Sequence, residues 1–233
     1  VFLFKKMNKT TMDAMLGLSA GVMLAATFWS LLSPALEMAE NLELTPWLIV
    51  SLGVLSGGLL LYTGDKIFAK LTKKKSNSNS IKRSLMLIFS ITLHNIPEGM
   101  AIGVAFGSVF YNLDGATLTS AVMLAIGIGI QNFPEGSAVS LPLRREGMKR
   151  SKAFLFGVLS GIVEPISAVI GAILVIKIKI LLPILLAFAG GAMIYVVVQE
   201  LIPESQTNKK KDLMALFTIF GFLIMMIFDV ALG

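Results

Sequence analysis

Two stretches of the chain, HNIPEGMAIG at residues 94–103 and QNFPEGSAVS at residues 131–140, decide how it folds. They are two copies of one motif, 37 residues apart, and each lies inside a long apolar run. Each copy carries amide, proline and glutamate residues at positions where a helix in lipid normally carries apolar side chains. Because polar groups at membrane depth are costly and mark functional sites, the motif predicts a polar site inside a bundle of membrane helices.

The composition around the motif agrees with a membrane protein. The chain has 233 residues, of which 55% are hydrophobic and 15% are charged, and the mean hydropathy is +0.82. A soluble domain carries about a quarter charged residues, so a soluble globular domain and a disordered chain are both excluded. The predicted fold class is all-α, a polytopic bundle of membrane helices.

Seven apolar runs are long enough to cross a hydrocarbon core of about 30 Å. They are residues 14–34, 46–64, 84–110, 116–142, 152–176, 181–201 and 212–232. The short apolar stretch at 1–4 runs directly into Lys5 and Lys6, which we interpret as the end of an earlier helix. The prediction is therefore eight transmembrane helices in a single domain at 1–233, with a polar loop at 65–83.

The distribution of charge predicts how the bundle is oriented. Of the 20 basic residues, 18 lie on alternate loops, and the opposite loops carry mainly acidic residues. The positive-inside rule places the basic loops in the cytoplasm and both termini outside it, in a cell (inner) membrane. The net charge of +6 and the pI of about 9.6 are explained by this orientation, so the lipid bilayer is a predicted partner and nucleic acid is not.

Within each copy of the motif the spacing places the polar side chains on one side of a helix. His94 and Asn95 precede Glu98 by four and three residues, and residues at these spacings share a helix face. Gln131 and Asn132 have the same relation to Glu135. Because the two helices are consecutive and antiparallel, the copies suggest an inverted repeat with a site near the midplane.

Prolines sit inside these polar segments and open the helices. Pro97 and Pro134 each remove one backbone hydrogen bond, and Glu164-Pro165 repeats the arrangement in a third apolar run. A carbonyl freed at membrane depth must find a partner or line a cavity. The pattern therefore predicts a wet, electronegative cleft that includes Glu164.

The residues available restrict the chemistry of this cleft. The chain has no cysteine and one histidine, His94, which leaves imidazole, amides and carboxylates as ligands. Imidazole with carboxylate suits zinc and its neighbours, whereas an all-oxygen set suits magnesium or calcium. Two other interpretations stay open: His94 as a hydrogen-bonded core histidine, and Asn95 and Asn132 as hydrogen-bonding contacts between helices.

The motifs resemble those of a known family. HNIPEG, then QNFPEG one helix later, then VEP at 163–165 resemble the ZIP family of divalent-metal transporters, and within it the GufA-type bacterial branch. The segments FWSLLSPALE (28–37) and QELIPES (199–205) are similar to that branch's second and seventh helices. The resemblance implies eight helices in a 3+2+3 inverted-repeat arrangement and a homodimer. It also implies transport of divalent cations, above all zinc, into the cytoplasm by alternating access. The resemblance implies neither an enzyme activity nor a catalytic cofactor.

The resemblance also assigns metal ligands by position. It places the main metal site at His94, Glu98, Gln131 and Glu135, and the second site of a binuclear centre at Asn95, Glu98, Asn132, Glu135 and Glu164. Ser30 and Glu37 match the extracellular entrance, and Gln199 and Glu200 match the cytoplasmic exit. This chain has QNFPEG where many members have an HExPHE-like motif, and Asn132 where some relatives have Asp. The second site therefore has one negative charge fewer and is expected to hold metal weakly or not at all.

Two other functions remain as alternatives. An intramembrane zinc-dependent hydrolase of the zincin type needs two histidines, and the chain has one. A carrier of a small organic cation needs aromatic walls, for which the motif region offers only Phe106 and Phe133. A purely structural subunit does not account for three glutamates inside apolar runs. Among metals, the residues do not separate zinc from cadmium, iron or manganese.

Overall fold

The computed structural model describes residues 8–72, 79–112 and 116–232, and the stretch at 1–4 that we interpreted as an earlier helix lies outside them. Across the described ranges the chain is helical, with short turns and no strand. The α-helices are α1 Lys9–Ala26, α2 Ser33–Asn41, α3 Pro46–Thr72, α4 Asn79–Phe110, α5 Leu118–Arg145, α6 Arg150–Gly161, α7 Val163–Ile178, α8 Leu182–Val196, α9 Ile202–Ser205 and α10 Lys211–Leu232. The all-α prediction is confirmed for the described residues.

Five of the described helical segments are long and apolar enough to cross a membrane. They are Lys9–Asn41, Pro46–Ile67, Arg150–Val175, Leu182–Ser205 and Lys211–Ala231. Helices α4 and α5, which carry the two polar motifs, are not among the five. The structure thus supports a polytopic helical membrane protein, and the eight-helix 3+2+3 arrangement remains a prediction.

Polar side chains cap the first turns of two helices. The Asn8 side chain accepts a hydrogen bond of 3.0 Å from the Thr11 amide and caps α1. The Thr117 hydroxyl accepts one of 3.1 Å from the Ser120 amide and caps α5. Such caps satisfy amides that have no partner within the first turn of a helix.

Two segments change to π-helical register where a proline follows. The π turns cover Thr27–Leu32 and Val197–Leu201, and Pro34 and Pro203 lie just beyond them. At each turn an amide bonds to a carbonyl five residues earlier, Ser33 to Phe28 and Ile202 to Val197. Because proline supplies no amide, the helix reaches it through a locally widened turn.

The helices pack in two groups. In one group α1 packs against α10 and α3 against α8, and in the other α4 packs against α7 and α5 against α6. The two groups touch where α5 meets α1 and where α4 meets α8. Glycines allow the closest approaches: a Cβ at Gly21 would collide with the Thr218 carbonyl, and one at Gly103 with the Ala168 carbonyl. The second group, α4 to α7, contains both copies of the motif and Glu164.

Candidate metal centre

Three glutamates meet in the interior of the helix bundle. Glu98 comes from α4, Glu135 from α5 and Glu164 from the start of α7, and their exposed fractions are 0%, 2% and 7%. One carboxylate oxygen of each lies within 4.8 Å of the others. Oxygens bound to one tetrahedral zinc ion stand roughly 3.5 Å apart, so the carboxylates could contact a single ion after an inward movement of about 1 Å.

A break in the helix places Glu164 in this cluster. It lies within the membrane span that the sequence predicts at 152–176. Helix α6 ends at Gly161 and α7 begins at Val163, with Ile162 between them in a turn. Pro165 has no amide for the carbonyl of Gly161, four residues earlier, so the helix cannot continue undisturbed there. The break makes Glu164 an acidic residue in the first turn of α7, where the helix dipole favours a negative charge.

Both asparagines of the motif bond to this broken region. The Asn95 side-chain amide donates to the Ser160 carbonyl at 3.1 Å, and the Asn132 amide donates to a Glu164 carboxylate oxygen at 2.5 Å. The interhelical contacts considered from the sequence are therefore present. In each asparagine the side-chain oxygen is buried and has no hydrogen-bond partner among the described residues. Those two oxygens are the kind of group that a cation satisfies.

The glycine after Glu98 permits the close approach of α4 to α7. A Cβ at Gly99 would lie 2.6 Å from the Glu164 Cα and would also collide with the Ser167 side chain. The equivalent Gly136 of α5 has room, since its added Cβ would stand 3.7 Å from the Gly157 carbonyl. The motif's glycine is thus required by packing in one copy and tolerant of a methyl group in the other.

His94 and Gln131, which the resemblance assigns to the main metal site, lie on α4 and α5. Their side chains are outside the part of the chain that the structure describes. Their role as ligands therefore stays a prediction. The described side chains bring together Glu98, Glu135 and Glu164, with Asn132 bonded to Glu164, and Asn95 precedes Glu98 by three residues on α4.

A cavity of about 570 Å³ lies beside the centre and contains the predicted entrance residues. Ser30 and Glu37 both line it, as does Asp229 of α10. The Ser30 hydroxyl donates to the Asp229 carboxylate at 2.9 Å, and the other Asp229 oxygen is buried without a hydrogen-bond partner in the described chain. Sequence reasoning overlooked Asp229, although a carboxylate within the predicted 212–232 span was itself a signal.

The predicted exit residues lie in the second π turn. Gln199 is exposed and Glu200 is partly buried, and Glu200 is not part of the cluster formed by the three glutamates. The Tyr195 hydroxyl of α8 is hydrogen-bonded to the carboxylate of Asp65. Asp65 is buried within α3, whereas the sequence was interpreted as a loop from residue 65 onward.

Comparisons with known proteins give one consistent answer. A family model described as "ZIP Zinc transporter" matches residues 72–229. The chain is 37% identical over 309 aligned positions to "Zinc transporter ZIP11" of Xenopus tropicalis. The alignment covers 100% of this chain and 92% of the relative. It is 37% identical to "Zinc transporter ZIPB" of Bordetella bronchiseptica, over 98% of this chain and 74% of the relative.

A third relative belongs to the bacterial branch that the motifs resemble. The chain is 32% identical to "Zinc transporter GufA" of Myxococcus xanthus, over 100% of this chain and 92% of the relative. These relatives are named as transporters and not as enzymes. With a family model over most of its length and relatives matched along all of it, the chain belongs to the ZIP family of zinc transporters.

Proposed function

We propose that this protein moves divalent metal ions, with zinc as the main substrate, across a membrane into the cytoplasm. The ion would pass through the centre formed by Glu98, Glu135 and Glu164. The observation that carries the proposal is the convergence of three buried carboxylates within 4.8 Å. Family membership supports membrane transport of zinc, and the position of the site, the direction and the mechanism are our inference.

Electrostatics favours a dication at this place. Two ionised carboxylates 4.8 Å apart repel each other by about 3.5 kcal/mol at an effective dielectric constant of 20. With three such groups the repulsion accumulates, and a divalent ion between them converts it into attraction. An organic monocation offers half the charge and needs more room, and the two aromatic side chains of the motif region, Phe106 and Phe133, are exposed by 37% and 67%.

The ligand types suit a site that releases its ion again. The described donors are three carboxylates and the oxygens of Asn95 and Asn132, with His94 and Gln131 as the further ligands that the family resemblance implies. Carboxylate and imidazole ligands bind zinc, and they also accept cadmium, iron or manganese. A closed structural zinc site normally has four strong ligands and no spare amides, so this mixture fits a substrate in transit.

The route on the outer side begins in the cavity that contains Ser30, Glu37 and Asp229. Its wall reaches Ala101 and Ile130, which lie three and five residues along α4 and α5 from Glu98 and Glu135. The acidic outer loops raise the local cation concentration and favour entry from that side. On the inner side, Asp65, Gln199 and Glu200 provide oxygen ligands along which the ion can leave.

The mechanism we propose is alternating access, in which the buried site opens to one side of the membrane at a time. The division of the helices into two packing groups supports such a movement, because the glycine-mediated contacts lie within the groups. The centre's three glutamates all belong to the α4–α7 group and can stay together while that group shifts. The setting we propose is a multi-pass protein of the cell membrane with both termini outside the cytoplasm, acting as a homodimer.

Zinc uptake by purified protein in liposomes tests the proposal directly. Glu98→Gln should lower the initial rate, read by a zinc-responsive dye inside the vesicles, by at least about tenfold. Even residues that only support a metal's ligands are worth about 10- to 100-fold in affinity or activity. Glu146→Gln is the matched control, because it makes the same chemical change at an exposed residue in the turn after α5. Uptake by Glu98→Gln at the wild-type rate would refute the assignment of the site.

A further inference from the structure

We propose that the centre holds one divalent ion at a time, and that Asn132 sets this limit. The inference rests on the proposed function, since it concerns how many ions the same site accepts. It gives a physical reason for the weak or empty second site that the sequence led us to expect, and turns that expectation into a fixed number of ions. The side chains that carry it are Asn132, Glu164 and, for comparison, Asn95.

The hydrogen bond from Asn132 to Glu164 is the first reason. The Asn132 amide donates at 2.5 Å to one oxygen, Oε2, of the Glu164 carboxylate. A second metal ion in this part of the centre would need that oxygen as a ligand. The N–H of the amide takes one of the two lone pairs of that oxygen and turns the positive end of its dipole, not an oxygen, toward the space beside Glu164, which disfavours a second cation there. A carboxylate bonded in this way keeps its other oxygen for the ion shared with Glu98 and Glu135.

The charge of the centre is the second reason. Its three buried carboxylates supply three negative charges, and the asparagines supply none. One dication leaves a single negative charge, which the Asn132 amide stabilises by a charge-assisted hydrogen bond. Two dications would leave a net positive charge in a buried site and would also repel each other. A fourth carboxylate at position 132 would balance two dications, so this residue determines the count.

Asn95 shows that the effect is specific to Asn132. Its amide donates to the backbone carbonyl of Ser160 and takes no carboxylate oxygen from the centre. Like that of Asn132, its side-chain oxygen is buried without a hydrogen-bond partner among the described residues and can serve a single ion, so the two residues differ only in what their amides bind. The two asparagines therefore have the same position in the motif and different effects on the metal.

Anomalous X-ray scattering from crystals of the full chain soaked in zinc counts the ions at the centre. We expect one peak among Glu98, Glu135 and Glu164 in the wild type. Asn132→Asp should show two peaks, roughly 3.5–4 Å apart as in other two-metal sites. Asn132→Asp combined with Glu164→Gln should return to one peak, because the second ion loses a ligand and a charge together.

A solution count provides the same answer independently. Zinc bound at equilibrium by the detergent-purified protein is compared with zinc bound by the same protein carrying Glu98→Gln. The difference should be one ion in the wild-type background and two in the Asn132→Asp background.

The number of ions found separates a failure of the one-ion limit from a failure of the proposed transport site. Two ions in the wild type, or one in Asn132→Asp, would overturn the limit set by Asn132 and leave the transport site intact. No ion among the three glutamates in the wild type would refute the proposed function itself. If Asn132→Asp fails to fold, the wild-type count still decides between one ion and two.

Discussion

The two copies of the motif, 94–103 on α4 and 131–140 on α5, have closely related sequences and different neighbours. In the α4 copy the asparagine bonds to a backbone carbonyl, at Ser160. In the α5 copy it bonds to a side-chain carboxylate, at Glu164. The first copy therefore stabilises the break between α6 and α7, and the second acts on the charge of the centre.

The glycines of the two copies, Gly99 and Gly136, also differ in how closely a neighbouring helix packs against them. Gly99 is pressed against the backbone of α7, whereas Gly136 has space for a methyl group. On the α5 side the close contact depends on the partner helix, since a Cβ at Gly157 would lie 2.7 Å from the Gly136 carbonyl. One motif thus serves two purposes: holding the α4–α7 interface together, and presenting Glu135 and Asn132 to the metal.

The largest difference should appear when each glycine is replaced by alanine. Gly99→Ala places a methyl group into the backbone of α7, and overpacking of this kind costs about 1–3 kcal/mol or more. Gly136→Ala meets only an ordinary contact and gains the helix preference of alanine, which is about 1 kcal/mol. The measurement is the yield of monodisperse protein and its apparent melting temperature in detergent. Equal losses in the two variants would show that the copies are equivalent in packing.

The asparagines should differ in how zinc affects them. Asn95→Leu leaves the Ser160 carbonyl buried without its donor, which costs about 1–3 kcal/mol, and zinc offers that carbonyl no substitute. Asn132→Leu removes a donor from a carboxylate, at a cost of about 1.5–3 kcal/mol, but a bound cation can replace it.

Melting temperatures of wild type and both variants, with and without saturating zinc, measure this effect. Zinc should narrow the difference in melting temperature between Asn132→Leu and the wild type. It should not narrow the difference for Asn95→Leu, whose lost hydrogen bond zinc cannot replace. If zinc reduced the difference in melting temperature from the wild type equally in both variants, the two asparagines would not have separate roles.

The helices and the acidic cluster could be predicted from sequence because each depends on local patterns. Apolar runs of spanning length indicate helices, and the repeated spacing of asparagine and glutamate places both on one face. Glu164 could be included in the predicted cluster because Glu164-Pro165 again places a proline beside a glutamate within an apolar run, as in both copies of the motif. In the structure these three glutamates do meet.

The partners of the polar residues could not be predicted, because they depend on how helices dock. No spacing along the chain indicates that Asn132 reaches Glu164 while Asn95 reaches Ser160. Asp229 and Asp65 lie near the ends of apolar runs, where a carboxylate can reach water without any partner. Their contacts with Ser30 and Tyr195 come from other helices.

The π turns escaped prediction for a different reason. A π turn adds one residue to a helix and leaves no period in the sequence. Pro34 and Pro203 were visible in the sequence, but proline in a membrane helix is equally compatible with a kink or a break. Glu164-Pro165 illustrates this, since there the helix breaks at Ile162 without a π turn.

The smallest difference between the copies should be at the residue before each proline, Ile96 in α4 and Phe133 in α5. Both side chains are exposed, by 38% and 67%, on helices that we propose to cross the membrane. Lipid tails are as apolar as either side chain, so exchanging the two, Ile96→Phe with Phe133→Ile, should change stability by less than about 0.5 kcal/mol. Uptake in liposomes should stay within about twofold of the wild type. A clear loss caused by Phe133→Ile alone would mean that this ring contacts protein in the membrane, and a second copy of the chain would then be the first partner to test by crosslinking at position 133.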